Sequence, residues 1–231
     1  MLVYGRNVAK EILRNKSNII KTIYLQDGFD DREILSLIDK NGFSYKNLNK
    51  NDMERLANGV HQGIIFSVSD YKYESLDDLK DDYNFIVILD HIEDPHNFGA
   101  IVRTCEAAGA NAIIVPKNRE ALVNSTSFKT SAGTILNSHI ILVSNISNAI
   151  EVLKKKGFWI YASSMDGEDY SKVDYSSKCA LIIGNEGRGI SPLIRKRSDF
   201  IISIPMKGAI NSLNASVAAG ILIYGVVRNR G

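Results

Sequence analysis

Apolar runs are prominent in the chain from Phe85 onward. A continuous run lies at residues 85–89, and similar runs lie at 112–115, 158–162, 179–183 and 200–204. A continuous apolar run is typical of a strand that is buried on both faces of a parallel sheet. Segments with helical spacing lie between the runs, at residues 99–108, 145–156 and 193–197. The alternation predicts an α/β fold with a parallel sheet, which a long helix of small and apolar residues follows at 213–229.

The first 70 residues predict a separate, smaller α/β unit. Its elements are a helix at 5–13 with Asn7 as its N-cap, a strand at 22–25, helices at 31–41 and 50–56, and a strand at 61–68. Residues 71–84 are polar and acidic, with a net charge of −3, as is common in linkers. We therefore predict a first domain at 1–70, a linker at 71–84 and a second domain at 85–231.

Charge and cysteine usage exclude several protein classes. A net charge of +2 over 231 residues is not that of a histone-like polycation. The cysteines, Cys105 and Cys179, belong to no CxxC or Cys/His cluster, which argues against a disulfide framework and favours the reducing cytoplasm. The N-terminus lacks the apolar core of a signal peptide, and the longest nearly unbroken apolar run, 217–227, is about half a membrane span. We expect a cytoplasmic protein without a membrane segment.

The loop after the first strand of the second domain is rich in polar side chains. Asn97 and Arg103 lie at the start of the helix that follows. One interpretation is a helix capped by Asn97, with Arg103 on a solvated face. The other is a ligand site, because ligands of open parallel sheets bind beyond the carboxyl ends of the strands. His91 and His96 stand among three acids, but their spacing matches no known ligand set, so no metal is expected.

Two later loops also follow strands. Residues 184–189 hold three glycines, which permit a ligand to approach the backbone closely but also suit a tight turn. They form neither GxGxxG nor a Walker loop. In the third loop, Ser212, Asn214 and Ser216 precede or begin the last helix, where they can cap it or bind a ligand.

Taken together, the three loops resemble a known family. The segments NFGAIVRT, GNEGRGI and IPMKGAINSLNASVA stand in the order and spacing of the three motifs of the SpoU family of RNA ribose 2′-O-methyltransferases, also called TrmH. Residues 129–133, KTSAG, resemble a stretch that the family carries between its first two motifs. VYGRNVAKEIL and VHQGI resemble the substrate-binding domain of the branch that methylates a guanosine ribose in 23S ribosomal RNA.

The resemblance implies a fold, a cofactor and partners. The second domain is expected to be a parallel-sheet domain of the SPOUT type with a deep trefoil knot, and the first a small RNA-binding domain. S-adenosyl-L-methionine is expected as the methyl donor. The expected partners are 23S ribosomal RNA and a second copy of the chain, which would pair through the C-terminal domain.

The resemblance also implies residue roles. Arg103 is expected to be the catalytic residue beside the target ribose. The surrounding polar site is expected to comprise Asn97, Glu186, Ser212 and Asn214. The donor pocket is expected to be lined by Gly184, Ile204, Met206 and Leu213. One departure is visible, because Leu136 and Asn137 stand where many relatives carry an acidic residue, and this puts a local RNA or dimer contact in doubt.

The proton acceptor stays open at this point. A guanidinium offers no lone pair in its usual state. Arg103 is either deprotonated in the closed complex, or it stays charged and stabilises the developing alkoxide while a phosphate or water takes the proton. We prefer the second interpretation on energetic grounds.

Basic residues suggest where RNA would bind. The candidates are Arg6, Lys10 and Arg14 in the first domain and Arg188, Arg195, Lys196 and Arg197 in the second. For the run from Arg195 to Arg197, a solvated helix end is the competing interpretation.

Other functions are also considered. One is a non-catalytic RNA-binding or ribosome-assembly protein that keeps the fold, and another is methylation of a different ribosomal or transfer RNA site. A nucleotide-binding dehydrogenase is disfavoured, because GxGxxG is missing after the first strand of the second domain.

Overall fold

A computed structural model describes residues 1–57, 59–175, 177–209 and 212–230. Ile210 and Asn211 of the third motif lie outside the described residues. The chain forms two compact units. The first comprises Met1–Lys72 together with Val123–Leu136, and the second comprises Tyr73–Leu122 and the chain from Asn137 onward.

The described residues form ten strands and eight helices. The strands are β1 Leu2–Tyr4, β2 Ile20–Gln26, β3 Tyr45–Leu48, β4 Ile64–Val68, β5 Phe85–Asp90, β6 Ala112–Pro116, β7 Ile140–Val143, β8 Trp159–Asp169, β9 Cys179–Gly184 and β10 Phe200–Ser203. The helices are α1 Arg6–Asn15, α2 Arg32–Lys40, α3 Lys50–Leu56, α4 Pro95–Ala107, α5 Ser125–Thr130, α6 Ile146–Lys155, α7 Pro192–Arg197 and α8 Ala215–Arg230.

The first unit is built on a mixed four-stranded sheet in the order β1-β4-β2-β3. Helix α1 buries the face formed by Val8, Ala9, Ile12 and Leu13, as its helical spacing predicts. The predicted cap at Asn7 is wrong. The helix begins at Arg6, whose backbone N–H donates to Gln62 Oε1 at 2.8 Å, so a side chain from a distant loop satisfies this helix end.

The segment Val123–Leu136 packs with the first unit, although it lies within the second predicted domain. Its helix α5 contacts β1. Gly133 adopts φ +87°, and a Cβ there would lie 2.9 Å from the Glu11 side chain. A glycine therefore permits this close approach, and the domain boundaries themselves stay a prediction.

The second unit contains a six-stranded sheet in the order β10-β8-β9-β5-β6-β7. Every strand pair in it is parallel, which confirms the predicted parallel α/β fold. Every residue of β5 is buried, and so are the first five of the six residues of β9. The runs at 85–89 and 179–183 are thus central strands covered on both faces, whereas the run at 200–204 forms the edge strand β10, whose first residue is exposed.

Three strands were not predicted. Strand β1 is only three residues long. Strand β7, IILV, is as long and as apolar as the predicted run at 112–115, so the sequence signal for it was present. Strand β3, Tyr-Lys-Asn-Leu, exposes its first three residues at the edge of the sheet, so no apolar pattern marks it. The predicted linker also contributes to the second unit, because Leu79 and Tyr83 are buried in its core.

Two helices begin at other residues than predicted. Helix α4 begins at Pro95, and its cap is Asp94, whose Oδ1 accepts from the His96 N–H at 2.9 Å. The prediction that Asn97 caps this helix is therefore wrong, and Asn97 lies in its first turn. Proline is favoured at the first helical position because it lacks the N–H that would stay unsatisfied there. Helix α8 begins at Ala215, two residues later than predicted.

Strand β8 leaves its neighbour and returns to it. Ala162 pairs with Ile201 of β10, whereas the next residue of β10, Ile202, pairs with Glu168. Residues 163–167 therefore bulge out between two paired stretches, and we call them the β8 loop. The knotted threading that the resemblance implies stays a prediction. Among the described helices, none combines the length and apolar character needed to cross a membrane.

The return of the β8 loop depends on Gly167. A Cβ at this position would lie 2.5–2.7 Å from backbone atoms of Ile201 and Ile202, and backbone cannot move aside cheaply. We expect Gly167→Ala to destabilise the fold by about 1–3 kcal/mol, measured by chemical denaturation. Gly208→Ala is the matched control, since a Cβ there meets nothing within 4 Å. Equal stability of the two variants would contradict this account of the crossing.

Candidate functional site

The site lies where the strand order of the second unit reverses. The chain runs outward from β5 through β6 to β7, whereas β9 lies on the other side of β5. Asp90 and Gly184, the last residues of β5 and β9, are register partners. The second motif begins at Gly184 itself, and the first motif begins at Asn97 in the helix after the β5 loop. Such a switch point is where open α/β sheets bind ligands.

The Asn185 side chain ties these two motif loops together. Its Nδ2 donates to the His91 carbonyl at 2.8 Å, while its Oδ1 accepts from the backbone N–H groups of Gly187 and Arg188. Buried Asp90 adds a second tie, because its Oδ2 accepts from the Ser191 N–H at 3.2 Å. Both loops are therefore held by hydrogen bonds around the end of the central strand pair.

Gly184 allows the second loop to fold back over its own strand. A Cβ on Gly184 would lie 2.5 Å from the Gly189 carbonyl carbon and 2.7 Å from the Ile190 nitrogen. These are backbone atoms, so any side chain at 184 would push the loop outward. Glycine at this position is explained by packing within the loop.

A cavity of about 520 Å³ opens beside the second loop. Six of the nine predicted site residues line it: Gly184, Glu186, Ile204, Met206, Ser212 and Leu213. Ala218 and Leu222 of α8 add to its apolar wall, and Arg188 and Arg195 add positive charge. The cavity thus combines an apolar wall with a polar, glycine-rich side formed by the second motif.

The remaining polar residues meet beside this cavity. Asn214 Nδ2 donates to Asn97 Oδ1 at 3.0 Å, which links the first and third motifs. Asn214 also caps α8, because its Oδ1 accepts from the Ser216 N–H at 3.0 Å. The Asn214 side chain therefore both caps α8 and joins the third motif to the first.

Arg103 does not line the cavity of its own chain. It is exposed on α4, six residues beyond Asn97 and about 9 Å further along the helix axis. Viewed down the helix axis, side chains six residues apart point about 120° away from each other. Asn97 and Arg103 therefore leave α4 on different faces. Among the described residues, none forms a hydrogen bond or ion pair with its guanidinium.

Several basic residues that were candidates for RNA contact already have acidic partners. Lys10 and Arg14 both pair with Glu33, and Arg6 lies 3.8 Å from Asp30 and 3.6 Å from Asp31. In α7, Arg195 pairs with Asp166 and Arg197 with Glu151. RNA contact by these residues stays a prediction.

Sequence reasoning missed the β8 loop as part of the site. Ser163, Ser164 and Met165 line the cavity, as does Arg195. The signal was present, because residues 163–167 follow a predicted strand just as the three motifs do. They contain no glycine run or amide cluster, and so they were not singled out.

Neither cysteine is suited to nucleophilic chemistry. Burial raises the pKa of the Cys105 thiol well above its usual value, and burial raises the pKa of Cys179 to about 12. Both thiols are packed in the core. Among the described residues, no three histidine, cysteine or acidic side chains gather as a metal site.

Comparison with known proteins identifies the family. Residues 84–224 match the SpoU rRNA Methylase family, and this match covers more than half of the chain. The chain belongs to the SpoU family. Residues 2–74 match the domain described as RNA 2′-O ribose methyltransferase substrate binding.

Relatives of the SpoU family match nearly the whole chain. YacO of Bacillus subtilis, named for the TrmH family of tRNA/rRNA methyltransferases, is 35% identical, with 99% of this chain and 95% of YacO covered. A protein of Staphylococcus epidermidis named for the same family is 38% identical, with 100% and 96% covered.

Solved structures of SpoU proteins share the fold. The SpoU methyltransferase AviRb of Streptomyces viridochromogenes, crystallised with AdoMet, superposes with a TM-score of 0.83 at 24% identity, covering 100% of this chain and 90% of AviRb. The TrmH/SpoU tRNA modifying enzyme of A. aeolicus superposes with a TM-score of 0.60 at 35% identity. The match covers 64% of this chain and 76% of that enzyme.

Glu120 makes the first motif loop sensitive to pH. Its Oε2 accepts from the Ile92 N–H at 2.8 Å, and burial raises its pKa to about 9. An unfolded glutamate titrates near about 4.3, so the folded state retains a proton that the unfolded state releases. The contribution of Glu120 to stability is therefore present below about pH 4 and is lost as pH rises to about 9.

We expect Glu120→Gln to remove this dependence. Its gain in melting temperature over the wild type should increase with pH up to about 9, because glutamine stays neutral throughout. Thermal unfolding at a series of pH values measures the gain. Glu106→Gln, an exposed change on α4, is the control. A gain from Glu120→Gln that is constant across the series would show that Glu120 is ionised in the folded protein.

Proposed function

We propose that this protein transfers a methyl group from S-adenosyl-L-methionine to a ribose 2′-hydroxyl of RNA, and that the target is a guanosine of 23S ribosomal RNA. The observation that carries the proposal is the convergence of the motifs. Residues of the second and third motifs line one cavity, and the Asn97–Asn214 hydrogen bond attaches the first motif beside it.

The cavity fits the proposed donor. Its wall of Ile204, Met206 and Leu213 suits an adenine ring, and the close-packed backbone around Gly184 offers main-chain groups to the polar parts of the molecule. The described volume of about 520 Å³ is within the range of small-molecule sites. When bound, the sulfonium supplies an activated methyl group.

The polar residues have separate tasks in this proposal. Asn97, Glu186, Ser212 and Asn214 orient the ribose, since an in-line transfer needs oxygen, methyl and sulfur in one line. The charged guanidinium of Arg103 stabilises the oxygen as its proton leaves. A phosphate or water then takes the proton, because the guanidinium itself has no lone pair to offer.

The position of Arg103 favours a homodimer in which the site is shared. Arg103 is not among the residues that line the cavity of its own chain, and this supports a site that a second copy completes. Helix α8 also exposes Val217 and Tyr224, each about half accessible and seven residues apart on one face. We propose that this face pairs two C-terminal domains and places Arg103 of one chain at the cavity of the other.

The first domain and the target RNA form the remaining part of the proposal. The match to a substrate-binding domain supports an RNA substrate, and the whole-length relatives named for tRNA/rRNA methylation support a structured RNA. We propose 23S ribosomal RNA, a cytoplasmic location and a knotted second domain. The competing function is a non-catalytic RNA-binding protein with the same fold.

Arg103→Ala separates catalysis from donor binding. We expect methyl transfer to fall by about 10²-fold or more, since a charge that stabilises the reacting oxygen is lost. S-adenosylmethionine binding, measured by calorimetry, should change less than about threefold, because the proposed role of Arg103 is to stabilise the ribose oxygen and not to hold the donor. Lys155→Ala removes an exposed helical cation and is the control. A parallel loss of affinity and rate would contradict the catalytic role.

Mixed dimers test whether the site is shared between chains. Gly184→Ala should displace the second loop and abolish donor binding. Refolding it together with Arg103→Ala should restore about a quarter of the wild-type rate, since half of the dimers are mixed and each mixed dimer holds one intact site. No recovery would place Arg103 and the cavity of one chain in the same site.

Ribose-methylation mapping of total RNA tests the substrate. Cells with and without the gene should differ at one guanosine of 23S RNA. A difference confined to transfer RNA or to another ribosomal site would replace the target, and no difference together with no donor binding would favour the non-catalytic function.

A further inference from the structure

We propose that Arg195 and Asp166 are positioning residues for the donor, because their ion pair holds the β8 loop against the cavity. This inference rests on the proposed function, which assigns the cavity to S-adenosylmethionine. Neither residue is needed to contact the donor in this role. They act through the β8 loop, although Arg195 itself also lines the cavity.

The pair has the geometry of a strong interaction. Arg195 Nη1 donates to Asp166 Oδ1 at 2.7 Å, and Nη2 donates to Asp166 Oδ2 at 2.8 Å. Two parallel hydrogen bonds between a guanidinium and a carboxylate fix direction as well as distance. Nη1 also donates to Ser164 Oγ at 2.9 Å. One side chain of α7 therefore holds two residues of the β8 loop.

The loop has fixed ends and depends on this pair at its centre. Ala162 and Glu168, on either side of it, are paired with β10, whereas residues 163–167 lie between the paired stretches. At its C-terminal end, the Ser203 hydroxyl donates to the Gly167 carbonyl at 2.8 Å. The middle of the loop is held by the Arg195–Asp166 pair together with the Ser164 hydroxyl, which donates to Asp166 Oδ1 at 2.6 Å.

That middle faces the proposed donor. Ser163, Ser164 and Met165 line the cavity with Gly184 and Leu213. Met165 is 77% exposed, more than any other large apolar residue that the structure describes. An apolar side chain at the mouth of a cavity gains contact area when a ligand fills it. Holding the loop in advance lowers the entropy that donor binding has to remove.

The same geometry argues against RNA contact by Arg195. Its guanidinium already forms a bidentate pair with the Asp166 carboxylate. A phosphate would have to displace that carboxylate. Arg197 provides the contrast within the same helix. It pairs with Glu151 of α6 and is not among the residues that line the cavity.

A double-mutant cycle tests the inference. Arg195→Ala, Asp166→Ala and the double variant would be titrated with S-adenosylmethionine by calorimetry. Because both side chains are partly exposed, we expect each single variant to raise the Kd about three- to tenfold. The double variant should match the single ones, since all three lose the same interaction. The KM for the donor should rise while kcat at saturating donor stays the same.

Two further variants sharpen the result. Arg197→Ala removes an ion pair from the same helix and should leave the donor Kd within about twofold. Arg195→Lys keeps the charge but cannot form the bidentate pair. It should therefore bind the donor more tightly than Arg195→Ala but less tightly than the wild type. Each variant is compared with the wild type by circular dichroism and melting temperature.

Several outcomes would overturn the inference. If Arg195→Ala weakens donor binding and Asp166→Ala does not, then Arg195 contacts the donor directly. Fully additive effects would mean that the two residues act separately. If Arg195→Ala raises the KM for RNA alone, then Arg195 is an RNA contact. Single variants that bind the donor as tightly as Arg197→Ala would remove any positioning role.

Hydrogen exchange separates this inference from the proposed function. In the protein without donor, the amides of residues 163–167 should exchange faster in Arg195→Ala than in Arg197→Ala. If the wild type binds no S-adenosylmethionine, the proposed function fails, whatever the exchange shows. If the wild type binds it and loop exchange is unchanged, only the positioning role fails.

Discussion

The pairing of β5 with β9 is the constraint on which the site depends. These strands are the buried centre of the parallel sheet, and their register sets Asp90 beside Gly184. Because parallel strands end at the same edge, two segments almost 100 residues apart in the chain begin their loops side by side. Burial of apolar side chains thus sets the geometry of polar groups that contribute little to the core themselves.

Hydrogen bonds then convert this proximity into a defined shape. Asn185 joins the second loop to the first through the His91 carbonyl, and Asn214 joins the third motif to Asn97. Both amides serve their own loop and a neighbouring one at once. A substitution at either position therefore leaves unsatisfied groups in two loops. The interior of the site is held by amide side chains more than by charged pairs.

Much of this arrangement could be predicted from the sequence, and the exceptions have physical causes. Long apolar runs predicted the central strands. Six of the residues predicted from the three motifs line one cavity. Strand β3 was missed because its side chains are exposed and polar at a sheet edge. The start of α4 was misplaced because Asp94 and Pro95 form a better helix start than Asn97. The Arg195–Asp166 pair joins residues far apart in sequence, and no local pattern reports such a contact.

The location of Arg103 follows from helical geometry and has a consequence for the whole molecule. A residue six positions after Asn97 leaves the helix on a different face and about 9 Å further along its axis. The exposed Val217 and Tyr224 lie on α8, which packs against α4. In the proposed dimer, a second copy of the chain would cover these apolar side chains and contact the Arg103 guanidinium, for which the described residues provide no partner. In the proposed dimer, assembly would therefore be a condition of catalysis, because neither chain alone presents the arginine to its own donor.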